Sequence, residues 1–338
     1  MRLLVTGAAG FIGSEFVRMT IREHVDDDVV VLDKLTYAGN PRNLDPVADD
    51  QRLRMVVGDI TDRELVVELA AESDVIVNFA AASHVDRSLE TPGEFVQTNV
   101  YGTMVLLEAA RAARHERFLQ VSTDEVYGAV AEGRSREGDA LRPSSPYSAT
   151  KAGAEMLVDA YRITYNLPAL ITRGCNTYGP YQFPEKIVPL FITNAIDDRP
   201  LPVFGDGTAV RDYLYVLDHC RGIDSVLRRG LPGEDYNLGA GQEIDINTVA
   251  DTILHILEKP QSLKQPVEER PGHDRRYALD STKSASLPRR PSVDFESGMR
   301  MTVSWYRENE SWWRPLKSED YWRFYERNYG RPLGAPVN

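Results

Sequence analysis

Cysteine is nearly missing from this chain: 338 residues hold two, Cys175 and Cys220, far apart and without metal-ligand spacing. That scarcity excludes a disulfide-stapled scaffold, offers no metal site and fits a reducing compartment. Long apolar runs are lacking too, so no membrane span is expected. The opening "MRLLVTGAAG" moves from a short apolar strand into a glycine turn with no export-type leader, and a cytoplasmic protein is the expectation. Positive charge is in deficit. Thirty-nine lysines and arginines face 51 aspartates and glutamates, a formal net charge of −12, which opposes general attraction to nucleic acid or to an anionic membrane. Local clusters such as "RPGHDRR" can still build a cationic pocket. Core-building residues are not scarce: 42% of the chain is hydrophobic, enough at this length for one large or two ordinary domains.

The first half alternates β-branched runs with helical stretches. "RLLVTG", "DDVVVLD", "RLRMVVGD", "DVIVNFAA", "RFLQVSTDE" and "PALITRG" read as strands, and "IGSEFVRMTIREH", "DRELVVELA", "EFVQTNVYGTMVLLEAARAARH" and "YSATKAGAEMLVDAYRITYN" as helices between them. This is the pattern of an α/β protein with a Rossmann-type doubly wound parallel sheet. The last two helices are long and carry small residues on one face; they can pack on the sheet or dock on a second copy of the chain. After Gly179 the texture turns to proline, glycine and charge, which predicts a first domain over 1–178 and a smaller mixed α/β domain over 179–338. A strand and helix near 211–238 can return to the first. The aromatic tail "SWYRENESWWRPLKSEDYWRFYERNYG" predicts a packed terminal helix rather than a partner surface.

"GAAGFIG" sets Gly7, Gly10 and Gly13 between the first strand and the first helix. Such glycines allow a tight turn, close backbone approach to a pyrophosphate and close helix packing, and the helix N-terminus favours phosphate. The spacing is GxxGxxG rather than GxGxxG, but Asp33 ends the second strand about 20 residues on, where a ribose-binding acid belongs. A carboxylate there accepts from both ribose hydroxyls and repels a 2′-phosphate, so NAD is expected over NADP, with Lys34 pulling weakly the other way. Asp59 is a candidate for the adenine amino group. Phe11, Ile12, Thr36 and Ile60 complete the expected cofactor surface.

"YSATK" places Tyr147 four residues before Lys151, one helical turn apart. A tyrosine base starts from a pKa of about 10, so on the order of 4 kcal/mol of help must come from nearby positive charge, supplied by Lys151 and the oxidised nicotinamide.

With the glycine turn, "VST" and YxxxK in place, the sequence resembles the extended short-chain dehydrogenase/reductase family through nearly its whole length. The resemblance implies that Ser122 or Thr123 hydrogen-bonds the hydroxyl that Tyr147 deprotonates, that Asn99 braces the site, and that the substrate is a nucleotide sugar. "STDEVYG" adds Asp124 and Glu125 and resembles the sugar-nucleotide 4,6-dehydratases. Once C4 of a hexose is a ketone, the C5 proton is acidic, and its removal expels the C6 hydroxyl if that oxygen is protonated. The resemblance makes Glu125 the base at C5, Asp124 the acid at the C6 oxygen and Thr123 the hydroxyl anchor, which requires Asp124 to be protonated near neutral pH.

"ASHVDRS", "NTYGPYQFPEKIVPL", "RDYLYVLDHCRGI" and "RPGHDRRYALD" resemble stretches of the dTDP-glucose 4,6-dehydratase family in particular. The implied substrate is dTDP-glucose, with Ser83, His84, Asn176, Glu185, Lys186, Arg211 and His273 as its contacts, Arg275 nearby, and "LPVF" as an apolar wall for the base. A homodimer through the two long helices is implied as well. This chain departs from the family pattern at Ala82, where glutamate is common, at Gly174, Cys175 and Thr177 within "RGCNTYGP", and at Ile246, where asparagine is expected and Asn247 stands one step late. 4,6-Dehydratase, epimerase or decarboxylase action on another nucleotide sugar, and a noncatalytic NAD-binding role, are the competing readings; the acid pair argues against the epimerase and the intact catalytic set against the last.

Overall fold

The computed structural model describes residues 1–269, 274–288 and 291–329. Twelve strands among them are β1 (Arg2–Thr6), β2 (Asp28–Asp33), β3 (Leu53–Val57), β4 (Val75–Asn78), β5 (Arg117–Thr123), β6 (Ala169–Gly174), β7 (Asn176–Tyr178), β8 (Leu201–Phe204), β9 (Val210–Tyr215), β10 (Asp235–Leu238), β11 (Glu243–Asp245) and β12 (Lys264–Val267). Seven make one parallel sheet in the order β10-β6-β5-β4-β1-β2-β3. The winding reverses between β1 and β4, and a crevice for ligand opens at such a switch point beyond the strand C-termini.

Alternating side chains of the strands face two helical layers. Leu3, Val5, Val29, Val31, Val77, Leu119 and Val121 pack towards the helices Phe11–Glu23 and Val216–Arg229. Leu4, Leu32, Ile76, Phe118 and Ile171 meet the opposite layer, Arg63–Ala71, Thr103–Ala113 and Pro146–Tyr165. Burial on both faces explains why these strands read as continuous apolar runs.

All six predicted strands are present. The predicted helix through "EFVQTNVYGTMVLLEAARAARH" is interrupted: Pro92–Phe95 leads into a π-helical turn, Val96–Gly102, before Thr103–Ala113. The Asn99 amide is drawn sideways to Ala82 and Thr150, and a side chain at Gly102 would strike Ile60; both favour the wider turn, a device frequent at functional sites.

β10 joins the large sheet beside β6, and the helix Val216–Arg229 before it packs on the same body. The remaining elements form a three-stranded sheet, β11-β9-β7, and a two-stranded one, β12-β8, around an aromatic core that includes Tyr178, Phe191, Tyr213, Tyr306 and Trp313. The tail is packed as predicted but not as one helix. Phe295–Glu308 and Glu310–Trp313 are parted at Asn309, and Glu319–Tyr329 follows a break at Pro315, whose ring supplies no N–H to the ladder.

Candidate active site

The loop after β1 is built of backbone. Gly7 has φ +69°, and a Cβ there would lie 2.5 Å from the Ala80 backbone; one on Gly13 would lie 2.7 Å from the Gly7 carbonyl oxygen. Gly10 caps the helix Phe11–Glu23 without a side-chain hydrogen bond, leaving the amides of its first turn free of a competing cap. Asp33, buried at the end of β2, accepts from the amides of Ala9 at 2.9 Å and Leu35 at 2.8 Å, which anchors its carboxylate beside the glycine turn. Lys34 and Asp59 form an ion pair at 2.7 Å, so Lys34 leans towards the acid end of β3 and is neutralised there. Ile60 is buried and Thr36 exposed. A side-chain-free phosphate cradle with a fixed carboxylate at the next strand end fits a dinucleotide with a free ribose 2′-hydroxyl, and hence NAD.

The proton-transfer residues converge at the tips of β5 and the helix Pro146–Tyr165. Ser145 and Ser148 form a reciprocal capping box and Pro146 occupies the first turn, which fixes where Tyr147 and Lys151 stand. Lys151 Nζ donates to the Val121 carbonyl at 2.6 Å, and burial lowers its pKa to about 8, with Glu155 opposing. Burial, then the charges of Glu125 and Asp124, hold the Tyr147 phenol well above its ordinary value, while Thr123 pulls it back. The demand for positive charge at Tyr147 is therefore greater than the reference pKa alone suggests.

Thr123 ends β5 and caps the 3₁₀ turn Asp124–Tyr127, accepting from the Glu125 amide at 3.3 Å and donating to Asp124 Oδ1 at 3.2 Å. Asp124 is 3% exposed, Glu125 half-buried, and Asp124 Oδ2 has no hydrogen-bond partner among the described residues. Burial first and the Glu125 charge second raise the Asp124 pKa to about 8, against the pull of Arg211. At neutral pH this carboxyl carries its proton.

Asn99 spends its amide on the protein. It accepts from Ala82 N at 2.9 Å and donates to Ala82 O at 3.0 Å and to Thr150 at 2.9 Å. It thus ties the backbone of the loop after β4 to the Thr150 hydroxyl on the helix of Tyr147, and its bonds to residue 82 survive whatever side chain stands there.

On the substrate side, Glu185 is buried and accepts from Arg87 at 3.1 Å; the Arg87 guanidinium lies 3.9 Å from the Tyr37 ring centroid and 4.8 Å from that of Phe324. Lys186 donates to the Ser83 carbonyl at 3.1 Å, and His84 is edge-on to Phe324. Arg211 is buried over the Tyr277 ring and donates to the carbonyls of Val210 and Asp274. Asn176 begins β7 beside β9. His273 lies outside the described residues. Tyr37, Arg87 and Tyr277 were not singled out in the sequence, although Arg87 and Tyr277 stand inside the stretches that carry the family resemblance.

The departures have local causes or consequences. A Cβ at Gly174 would lie 2.5 Å from the His219 ring, and His219 Nδ1 is 2.8 Å from the Thr177 hydroxyl; Gly174 and Thr177 thus accommodate one buried histidine. Ile246 is buried at the start of its helix, and Asn247 donates to the Asp206 carbonyl, so Asn247 does not stand in for an asparagine at 246.

The model of the family described as GDP-mannose 4,6 dehydratase matches residues 4–302. The dTDP-glucose 4,6-dehydratase of Streptomyces niveus is 49% identical over 325 residues, 95% of this chain and 97% of that protein. The low-salt glycan biosynthesis protein Agl12 of Haloferax volcanii is 52% identical over 306 residues, 90% and 98% of the two chains. Among solved structures, DesIV, a dTDP-glucose 4,6-dehydratase from Streptomyces venezuelae crystallised with NAD and a second ligand, has a TM-score of 0.92 and 50% identity, covering 94% of this chain and 100% of that one. With the same fold and such identity along nearly the whole of both chains, this chain belongs to the dTDP-glucose 4,6-dehydratase family of extended short-chain dehydrogenases/reductases.

Proposed function

We propose that this protein dehydrates dTDP-glucose to dTDP-4-keto-6-deoxyglucose, with NAD held in the crevice beyond β1 and β4. The observation that carries the reading is the buried Asp124 carboxyl, whose burial and acidic neighbour favour its protonated form, beside the more accessible Glu125. An elimination needs one group that gives a proton and one that takes it, and two adjacent carboxyls meet that need only if their environments differ. NAD, when bound, takes the C4 hydride, returns it to C6 and adds positive charge near Tyr147.

The residues then divide the work. Thr123 anchors the C4 hydroxyl, and Tyr147 removes its proton with the Lys151 ammonium favouring the phenolate. Glu125 takes the C5 proton while Asp124 protonates the departing C6 oxygen as water, and Glu125 gives a solvent-exchanged proton back to C5 when C6 receives the hydride. Asn99 keeps the loop at 82–84 and the helix of Tyr147 in register. Arg211 supplies cationic donors for the diphosphate, with Asn176, Glu185 and Lys186 towards the sugar.

Mass spectrometry of the reaction with dTDP-glucose in deuterated water tests this. The expected product has lost one water and carries one deuterium at C5, with no net consumption of cofactor. Unchanged dTDP-glucose in the presence of added NAD contradicts the reading.

Among the described residues no helix is long and apolar enough to cross a membrane, and both cysteines are free and buried, which supports action in the cytoplasm. The helical segments around Val96–Gly102 and Pro146–Tyr165 expose Val96, Tyr101, Met156, Ile163 and Tyr165, a surface suited to pairing with a second copy. Sedimentation is expected to give a dimer; a monomer across the working concentration range contradicts it.

A further inference from the structure

The turn after the helix Ile187–Ile196 faces Trp313, Arg314 and the last helix across a cavity of about 190 Å³, lined by Asp197, Arg199, Trp313, Arg314, Lys317 and Trp322. None of these belongs to the cofactor crevice, the acid pair or the substrate-side residues above. Three of the six are cations and one is an acid. Arg314 is already neutralised, by Asp197 at 2.9 Å and Glu310 at 2.7 Å. Arg199 and Lys317 have no ion-pair partner among the described residues, in a chain with a net charge of −12.

Both unpaired cations are held in place by aromatic rings. The Arg199 guanidinium lies 4.2 Å from the Trp322 ring centroid. Lys317 Nζ is 5.2 Å from the Trp313 centroid, 5.3 Å from that of Trp322 and 5.8 Å from that of Tyr321. Its one hydrogen bond goes to Asn194 Oδ1 at 3.1 Å, although an ammonium carries three donors. Two cations lacking counter-charge around an indole-walled cavity that has room for several waters are arranged to receive an anion, which relieves their mutual repulsion and takes up their spare donors.

We propose that this cavity binds a small oxyanion of the phosphate class, held by Arg199 and Lys317 beside the indole of Trp322. Arginine supplies the planar fork and lysine the point charge, a common division of labour at phosphate oxygens.

The site also has a pH dependence of stated sign. Burial lowers the Lys317 pKa to about 7; Asp197 opposes this, and Arg199 and Arg314 reinforce it. The other neighbour, Tyr321, is pushed up by burial and stays neutral, and the two arginines keep their charge. Below pH 7 the ammonium is ready for the anion. Above it the anion must first restore the proton, and affinity falls.

The test is calorimetric titration with sulfate, whose charge is constant between pH 6.5 and 8.5, at fixed ionic strength set by chloride and with the nucleotide site saturated by dTDP. Wild type is expected to bind saturably and to weaken more than about tenfold from pH 6.5 to 8.5. Arg199→Ala and Lys317→Met are each expected to lose about tenfold or more, with dehydratase turnover unchanged. Lys317→Arg is expected to bind with no such pH dependence, which also shows that the position tolerates substitution. Inorganic phosphate against phenyl phosphate then separates a free ion from an ester resting on the Trp322 indole. No saturable binding by wild type, or equal binding by Arg199→Ala and Lys317→Met, overturns the proposal. Because the readout is binding away from the acid pair, it stands or falls independently of the dehydratase reading.

Discussion

The adjoining strands β5 and β6 carry two buried charge clusters that are handled in opposite ways. Beside the helix Pro146–Tyr165, Arg173 donates to both Glu155 oxygens, with the shortest contact at 2.8 Å, to Asp235 at 2.8 Å, to the Tyr127 hydroxyl at 2.7 Å and to the Glu137 carbonyl at 3.0 Å. Burial pushes the Glu155 carboxyl up while Arg173 pulls it down, and Glu155 in turn holds Arg173 above its ordinary value despite burial. The bidentate geometry decides in favour of an ionised pair. At the tip of β5, Asp124 is equally enclosed but has one hydroxyl contact, one unsatisfied oxygen and an acidic neighbour. The contrast separates a charge that holds the fold from a carboxyl that holds a proton: Arg211 acts on Asp124 only at a distance, and an arginine hydrogen-bonded to it as Arg173 is to Glu155 would ionise it and end its use as an acid.

The comparison is broken most severely at Arg173. Arg173→Met strands Glu155 without its partner, and a loss of about 3–5 kcal/mol is expected in denaturant unfolding. A loss below about 1 kcal/mol would mean that the cluster does not hold the fold.

Asp124→Asn is the matching change on the other side. Turnover is expected to fall by about 10²–10³ with C4 oxidation retained and stability little altered, because an amide removes a titrating acid without emptying its space. Rapid-quench analysis of the C4-keto intermediate separates the two steps; loss of oxidation as well would place Asp124 in the first step.

Both halves of the site titrate in one direction. Asp124 donates only while protonated and Lys151 assists only while charged, and both lose their protons near pH 8. The turnover number is therefore expected to be level around neutral pH, where Glu125 remains an ionised base, and to decline as pH rises through that region. Activity lost as pH rises through about 5 would contradict the assignment. The smallest expected effect is at Gly174→Ala, which forces a methyl against His219 and is expected to cost about 1–3 kcal/mol, read from the thermal midpoint.

The sequence shows one half of this contrast more clearly than the other. Strand runs, the glycine turn, YxxxK and the Asp124-Glu125 pair are local patterns, and chemistry attaches to each at fixed spacing. The Arg173 cluster draws on β6, β10, a helix and the 3₁₀ turn after β5, and Arg87 meets Glu185 across 98 positions; no local period encodes such meetings. The π-helical turn at Val96–Gly102 was hidden for the same reason, since Asn99 is pulled out of register by Ala82 and Thr150 rather than by its own neighbours. Pro315 did mark the break in the tail, but aromatic spacing on both sides of it favoured one continuous helix.

Infrared difference spectroscopy of the resting protein, wild type minus Asp124→Asn, over pH 6 to 10 tests the central claim most directly. A protonated-carboxyl band that belongs to Asp124, present at pH 7 and lost with a midpoint near 8, is the predicted result. An Asp124 already ionised at pH 7 would contradict the account of how this acid pair divides its work.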